Sequence, residues 1–486
     1  MIDLCGLARV EVIVGREARA GSLRCRVALV FSMAICLISS RACAQLPETT
    51  SGQSPVPETG TEAPLTVFPH LADSRFWISG QNNVIVQVHP SFSANYTGPN
   101  SFKPYYENST GQVTTIFAGI QLSRSIEILA DVESASGLGI SGARGLGGFT
   151  NLDAVRDPTL TATPYLARLM YHQIIGFGEQ GEGSRGPLAT FSKVPAHRLE
   201  LRAGRFGMTD FFDTNAVGGD SHLQFMNWAV DQNGAYDFTG DARGYTWGVV
   251  AEYQSPKWGA RFAEGLMPGP QISSGLEWNL RKANTSNLEF EVHRAILPKK
   301  DGIIRLLWYL NHANMGVYSD AIYQYLAGNV PQPQIDNHPF KVTSKYGFGL
   351  NGEQALSSFI TAYTRLGWND GKTEVWCFTE IDNTVSGGVT FLGHMWKRSY
   401  DRAGVAFASN GISSDHSQYL AYGGLGPVLG DGGLNYGREN LIESHYTVHF
   451  WRGVYAGPDV QYVIHPGYNT VRGPVFVASF RLHTEL

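Results

Sequence analysis

The sequence predicts an all-β fold: a transmembrane antiparallel β-barrel of about 16 strands, with 18 also compatible, long outer loops and short periplasmic turns. Three observations point there. Charged residues are only 16% of the 486, while Gly numbers 56 and aromatics reach 12%; soluble domains usually carry about 25% charge. From residue 76 onward apolar and polar residues alternate at period two, in segments long enough for tilted bilayer-crossing strands, which need about 9–11 residues. The connections between segments are short and long by turns.

The same composition excludes other classes. Disordered chains are poor in aromatics. No long Lys/Arg block marks a nucleic-acid partner. A helical membrane protein needs runs of about 20 apolar residues, and the mean hydropathy is only −0.14.

Residues 1–44 carry Arg19, Arg24 and Arg26, then the apolar run Val27–Ile38, then Ala42-Cys43-Ala44. This is the layout of a secretory signal peptide, with cleavage expected before Gln45. The alternatives are an uncleaved anchor and, less favoured, a lipidated Cys43. The stretch before Arg19 is long for such a signal, which leaves the true start open. Without this segment, 31 basic and 39 acidic residues give a net charge of −8, and only Cys377 remains. No internal disulfide and no Cys-based zinc site is then expected. Residues 45–75, rich in Pro, Thr, Gly and Glu, read as a flexible periplasmic leader.

The barrel domain spans 76–486. In 125–134, Ile126, Ile128, Ala130 and Val132 oppose Glu127, Asp131 and Glu133. In 197–205, Leu199, Leu201 and Ala203 oppose Arg198, Glu200 and Arg202. A membrane barrel gives lipid the apolar face and water the other, and it must close so that no strand edge is left unpaired. Strands are expected at 76–88, 112–122, 125–134, 165–175, 197–206, 243–254, 257–265, 287–295, 303–312, 345–356, 358–369, 384–392, 402–412, 439–451, 453–464 and 474–485. Turns at 123–124, 255–257, 357–358 and 452–453 then fall at one end. Loops 89–111, 135–163, 207–241, 267–286, 313–344 and 413–438 fall at the other. The segments 276–283 and 374–381 are strand-like and would make eighteen. Sixteen or more strands enclose an aqueous channel.

Several stretches resemble the carbohydrate-selective porins of the OprB type. They are Tyr436–Asn440 (YGREN), Pro458–Asn469 (PDVQYVIHPGYN), Arg472–His483 (RGPVFVASFRLH), Leu366–Gly371 (LGWNDG) and Asp220–Phe238. The resemblance covers the whole expected barrel. It implies passive diffusion of mono- and oligosaccharides across an outer membrane, with no enzymatic activity and no cofactor. It also implies outer-membrane lipid and the barrel-assembly machinery as partners. Porins of this size include trimers, so a homotrimer is one expected state. Two departures stand out: His465 occupies a position where Asn is expected, and the chain ends in Leu486 rather than an aromatic.

A channel this wide needs a constriction. The third outer loop, 207–241, carries Asp210, Asp213, Asp220, His222 and Asp231 together with Trp228 and Tyr236. Carboxylates suit sugar hydroxyls, and aromatic rings suit sugar C–H faces. Arg156 in the preceding loop, and Arg168, His172, Arg198 and Arg202 on polar strand faces, are the expected opposing bases. Such an arrangement sets a transverse field that favours polar solutes. The plain alternative is charge pairing inside the lumen and aromatics that only pack the loop. Gly142–Gly148 (GARGLGG) lacks the Lys-Ser/Thr end of a phosphate loop and reads as outer loop. His445 and His449 share a strand face without metal-site spacing, so no metal is expected. Residues 315–326 read as a short helix. Competing functions are a general or acidic- or aromatic-solute porin, an outer-membrane barrel enzyme, and a secreted polysaccharide-binding β protein.

Overall fold

The computed structural model describes residues 65–486, apart from 72, 73, 158, 184, 295, 298 and 299. The expected signal segment and most of the leader lie outside the described residues. Where the leader is described, the Leu65 N–H donates to the Tyr455 hydroxyl (2.7 Å) and the Val67 N–H to the Glu485 carbonyl (2.8 Å).

Sixteen strands are present among the described residues: β1 (Phe76–His89), β2 (Glu107–Gln121), β3 (Ile126–Ser136), β4 (Tyr165–Glu182), β5 (Lys193–Phe206), β6 (Thr246–Gln254), β7 (Trp258–Gly265) and β8 (Asn284–His293); then β9 (Gly302–Ala313), β10 (Thr343–Ala355), β11 (Ile360–Asn369), β12 (Asn383–Leu392), β13 (Arg402–Gly411), β14 (Glu439–Trp451), β15 (Val454–Ile464) and β16 (Val475–Glu485). Each pairs antiparallel with its sequence neighbours, and β1 closes on β16 with Val84 opposite Leu482. Closure leaves no edge strand, as hydrocarbon requires.

The count of eighteen is corrected. Within 276–283 there is only an isolated bridge, Leu276 to Pro268, and 374–381 forms no strand. The first lies in a loop that leaves Trp278 and Leu280 exposed, and the second is held by the Trp376 and Cys377 N–H groups donating to Asp237. Several boundaries also move. β2 begins at Glu107, five residues before the expected 112, because it keeps pairing along the whole of β1 to His89. β8 begins at Asn284, and the β4–β5 hairpin runs on to Glu182 and Lys193 past a register shift between Phe177 and Gln180. That extension shortens the connection there to 183–192.

The alternation has the expected polarity. Along β16, Ser479, Arg481 and His483 are buried towards the lumen, while Phe480 and Leu482 are about half exposed on the outer wall. Aromatics gather at both rims. Phe348 stacks on Trp368 (6.1 Å between ring centroids) near the long-loop end, and Tyr253 meets Trp258 (4.9 Å) at the short-turn end. No described helix is long and apolar enough to cross a membrane.

Three helices lie in long loops: α1 (Trp228–Asp231), α2 (Tyr318–Leu326) and α3 (Ser414–Ala421). α2 lies within the expected 315–326. The GARGLGG stretch is packed against other loops. A Cβ on Gly145 would sit 1.7 Å from the Phe102 nitrogen, and its φ of +83° is a conformation glycine takes freely. His465 adopts φ 57°, a left-handed conformation that Asn tolerates better than most residues, which accounts for the expectation of Asn there.

Candidate functional site

The third long loop (L3, 207–245) runs inside the barrel. Its sequence is polar enough to bond the wall and aromatic enough to pack against other loops, and both properties are used. The Tyr236 hydroxyl donates to Asn287 of β8 (2.7 Å). Asn311 Nδ2 of β9 donates to the Asp237 carbonyl (2.7 Å), and Tyr309 to the Ala235 carbonyl (2.9 Å). The Ala216 N–H donates to Glu353 of β10 (2.7 Å). Across the lumen, the Met226 and Asn227 amides donate to Glu443 of β14, and Asn227 Nδ2 to Gln461 of β15 (2.9 Å). Arg481 of β16 donates to the Ser221 carbonyl (2.6 Å). The Asn227 side chain also caps α1 by accepting from the Ala229 N–H. L3 thus spans from β8–β10 to β14–β16.

The second long loop (L2, 137–164) and the sixth (L6, 370–382) lie against L3. The Trp228 N–H donates to the Phe149 carbonyl (3.0 Å), and the Trp376 and Cys377 N–H groups donate to Asp237 (3.0 Å each). Between these loops Trp228 meets Phe149 edge-on (5.0 Å) and stacks on Phe378 (5.3 Å), which stacks on Phe238 (4.9 Å). Aromatic pairs of this kind contribute about 0.5–1.5 kcal/mol each beyond burial. The L2–L3–L6 layer divides the lumen. On its loop side is a cavity of about 710 Å³, lined by L1 and L2 residues including Lys103, Glu107, Ser141, Arg144 and Arg156. On its turn side is one of about 300 Å³ between L3 and β9–β10.

The expected site residues separate into three groups. Arg168 holds Asp210 in a two-pronged pair (2.7 and 2.6 Å) and also reaches Asp131 (3.0 Å), joining L3 to the wall. Asp213 lies 2.9 Å from Arg365 Nε, and Asp220 accepts from the His222 and Leu223 amides and lies 3.5 Å from Arg402. Arg156 donates to the Cys377 (3.2 Å) and Phe378 (3.1 Å) carbonyls of L6, and Trp228 and Tyr236 sit within the layer. Asp231 ends α1 beside the turn-side cavity. His172, Arg198 and Arg202 are not brought to L3 acids; all three bond Glu200, and Arg202 also meets Glu252 (2.9 Å).

Those wall pairs belong to a larger band that sequence reasoning missed. Glu127 of β3 meets His172 (2.7 Å), and His172 meets Glu200 (2.9 Å). Beyond Arg202 and Glu252, Arg261 meets Glu252 (3.0 Å), Glu289 (2.6 Å) and Glu291 (2.7 Å). Arg305 meets Glu291 (3.3 Å) and Glu353 (3.1 Å). One chain of buried acid–base contacts therefore runs around the lumen wall from β3 to β10. Its signal was present as charge at every second position; the cross-strand register that joins it was not.

Loop L2 is clamped to L3 by His222, whose Nε2 lies 3.2 Å from Asp153, while its ring stacks on His483 (5.4 Å). Burial opposes the charged imidazole, but the Asp153 carboxylate prevails and holds the pKa at about 9. Asp153 is held below the usual carboxylate range against its own burial. The folded pKa of His222 is above its unfolded value of about 6.5. Its stabilisation is complete below that value and is lost as pH rises through about 9. The expected result is a melting temperature that declines from about pH 6.5 to 9, with that limb flattened in His222→Gln. An undiminished decline in the variant would exclude His222 as its source.

The carbohydrate-selective porin, OprB family model matches residues 108–486. The chain belongs to this family. It is accordingly a channel rather than an enzyme: an outer-membrane porin through which sugars diffuse. Among solved structures, the high-pH structure of Pseudomonas putida OprB is similar with TM-score 0.64 at 16% identity, covering 85% of this chain and 94% of that one. At this identity the likeness shows the fold of the porin. The low-pH structure of the same protein matches at TM-score 0.44 and 13% identity, covering 85% of this chain and 92% of that one. The outer membrane channel DcaP of Acinetobacter baumannii matches at 0.46 and 8%, covering 87% and 100%. No curated protein sequence matches the chain.

Proposed function

We propose that this porin selects neutral mono- and oligosaccharides at the layer that L2, L3 and L6 build across its lumen. One observation carries the reading: L3 is hydrogen-bonded to both sides of the barrel, so every solute must pass beside it. Carboxylates and amides on L3 offer partners to sugar hydroxyls, and the buried Trp228–Phe378–Phe238 stack holds them in place by packing L3 against L6. Asp210 on L3 with Arg168, and Arg198 and Arg202 paired with Glu200 and Glu252 further along the wall, line the passage with charge that penalises apolar solutes. Residues 1–44 serve as the export signal. The outer wall meets lipid after insertion by the assembly machinery, and three copies assemble.

The test is single-channel recording in planar bilayers, titrated with glucose, maltose and a charged control. Sugars are expected to block the ion current, and Ala at Arg168, Arg198 and Arg202 to change block or conductance. Unchanged values of both would remove these three from the selective machinery. Liposome swelling faster with matched acids than with neutral sugars would favour the acidic-solute reading.

A further inference from the structure

The turn-side cavity brings together two neighbouring L3 acceptors that lack donors. The other L3 acids in contact with the wall or L6 have donors: Asp210 from Arg168, Asp213 from Asn351, Asp237 from the Trp376 and Cys377 amides, Asp241 from Arg205. Asp231 does not. It is 4% exposed, and its Oδ1 accepts no hydrogen bond among the described residues. The neighbouring Gln232 Oε1 is likewise buried and without a partner. Both residues line the cavity. A buried acceptor without a donor is costly, and a native structure that keeps two together calls for an explanation.

We propose that this cavity is a subsite for a single neutral, hexose-sized sugar whose hydroxyls donate to Asp231 and Gln232, an inference that rests on the sugar-channel reading above. Volume sets the size: about 300 Å³ is at the lower end of ligand pockets, enough for one ring and not for a chain. Ile303 and Ala216 supply apolar surface for the C–H face. Charge sets the class. Glu353 and Asp213 on the lining oppose an anion, and Arg305 opposes a cation. Burial pushes the Asp231 carboxyl up to about 7, so near neutrality it offers a hydroxyl as well as a carbonyl oxygen. Ile303 and Arg305 near the start of β9, and Glu353 near the end of β10, put the subsite on the periplasmic side of the layer.

The experiment uses the full-length porin in planar bilayers, with glucose, maltotriose or glucuronate added to the periplasmic face. Glucose is expected to block, with maltotriose no tighter and glucuronate weaker. Asp231→Leu and Gln232→Leu should each weaken glucose block about tenfold, the scale of one lost hydrogen bond. Asp231→Asn, which keeps a donor and an acceptor, should restore most of it. Undiminished block in the Leu variants, or tighter block by glucuronate, overturns the subsite while sugar-driven liposome swelling leaves the channel reading standing. No swelling with any sugar overturns the channel reading and the subsite with it. If Asp231→Leu does not fold, as judged by heat-modifiable migration, Gln232→Leu carries the same comparison.

Discussion

Arg365→Met is expected to loosen L3 at Asp213 and at the end of α1 and to produce larger, noisier single-channel currents with weakened sugar block. Arg365 is fully buried on β11. Its guanidinium lies 2.9 Å from the Asp213 carboxylate and donates to the Val230 and Asp213 carbonyls, both at 2.9 Å. One side chain therefore fixes two separated points of the loop, the turn at Asp213 and the end of α1. Met replaces the volume but not the five donors. Asp213 would keep only Asn351 Nδ2 and the Asn233 N–H, both at 2.9 Å, as a buried carboxylate without its cation. Breaking such a pair costs about 3–5 kcal/mol, or roughly two to three and a half orders of magnitude in the ratio of docked to released loop. Arg365→Lys keeps the charge without the planar fork and should fall between. Conductance, noise and glucose block all equal to wild type in Arg365→Met would show that L3 does not depend on this anchor.

His416→Ala is expected to loosen the outer loops while leaving the barrel closed. His416 lies in α3, fully buried, with Nδ1 3.0 Å from Asp382 and Nε2 3.4 Å from Glu380 of L6, and its ring stacks on Tyr318 of α2 (4.4 Å). It thereby joins the fifth, sixth and seventh long loops. Burial disfavours its charge, but Asp382 and Glu380 raise its pKa to about 9, and Asp382 is held low against its own burial. The stabilisation is present below the unfolded value of about 6.5 and is lost as pH rises through about 9. Removing the imidazole leaves two buried carboxylates together, again about 3–5 kcal/mol. Limited proteolysis should cleave within 314–342 and 412–438 faster in the variant, with heat-modifiable migration retained. Equal cleavage rates at pH 7 would show that the imidazole is not what holds these loops.

The strand order and the facing of residues were legible because they are local. Leu199 and Leu201 against Arg198, Glu200 and Arg202 need only the pleat of one strand to separate them. The long loop containing Asp210, Trp228 and Tyr236 was legible as the constriction element because length and composition are also local. The partners were not. Arg198 and Arg202 looked free to face L3, and in the structure they meet Glu200 and Glu252 along the wall. The 374–381 segment looked like a strand because it mixes apolar and polar residues; it is the loop that covers L3 with Trp376 and Phe378.

Period-two alternation follows from a pleated strand between lipid and water, so the sequence by itself determined the barrel, the order of its strands and which residues line the lumen. Tertiary structure decided what fills that lumen. The same Asp is solvated, paired or stranded according to what lies across the barrel. Asp213 meets Arg365 152 residues away, Asn227 meets Gln461 234 away, and Asp231 Oδ1 meets no donor among the described residues. No local pattern encodes these meetings, because they depend on how eight loops share one enclosed volume.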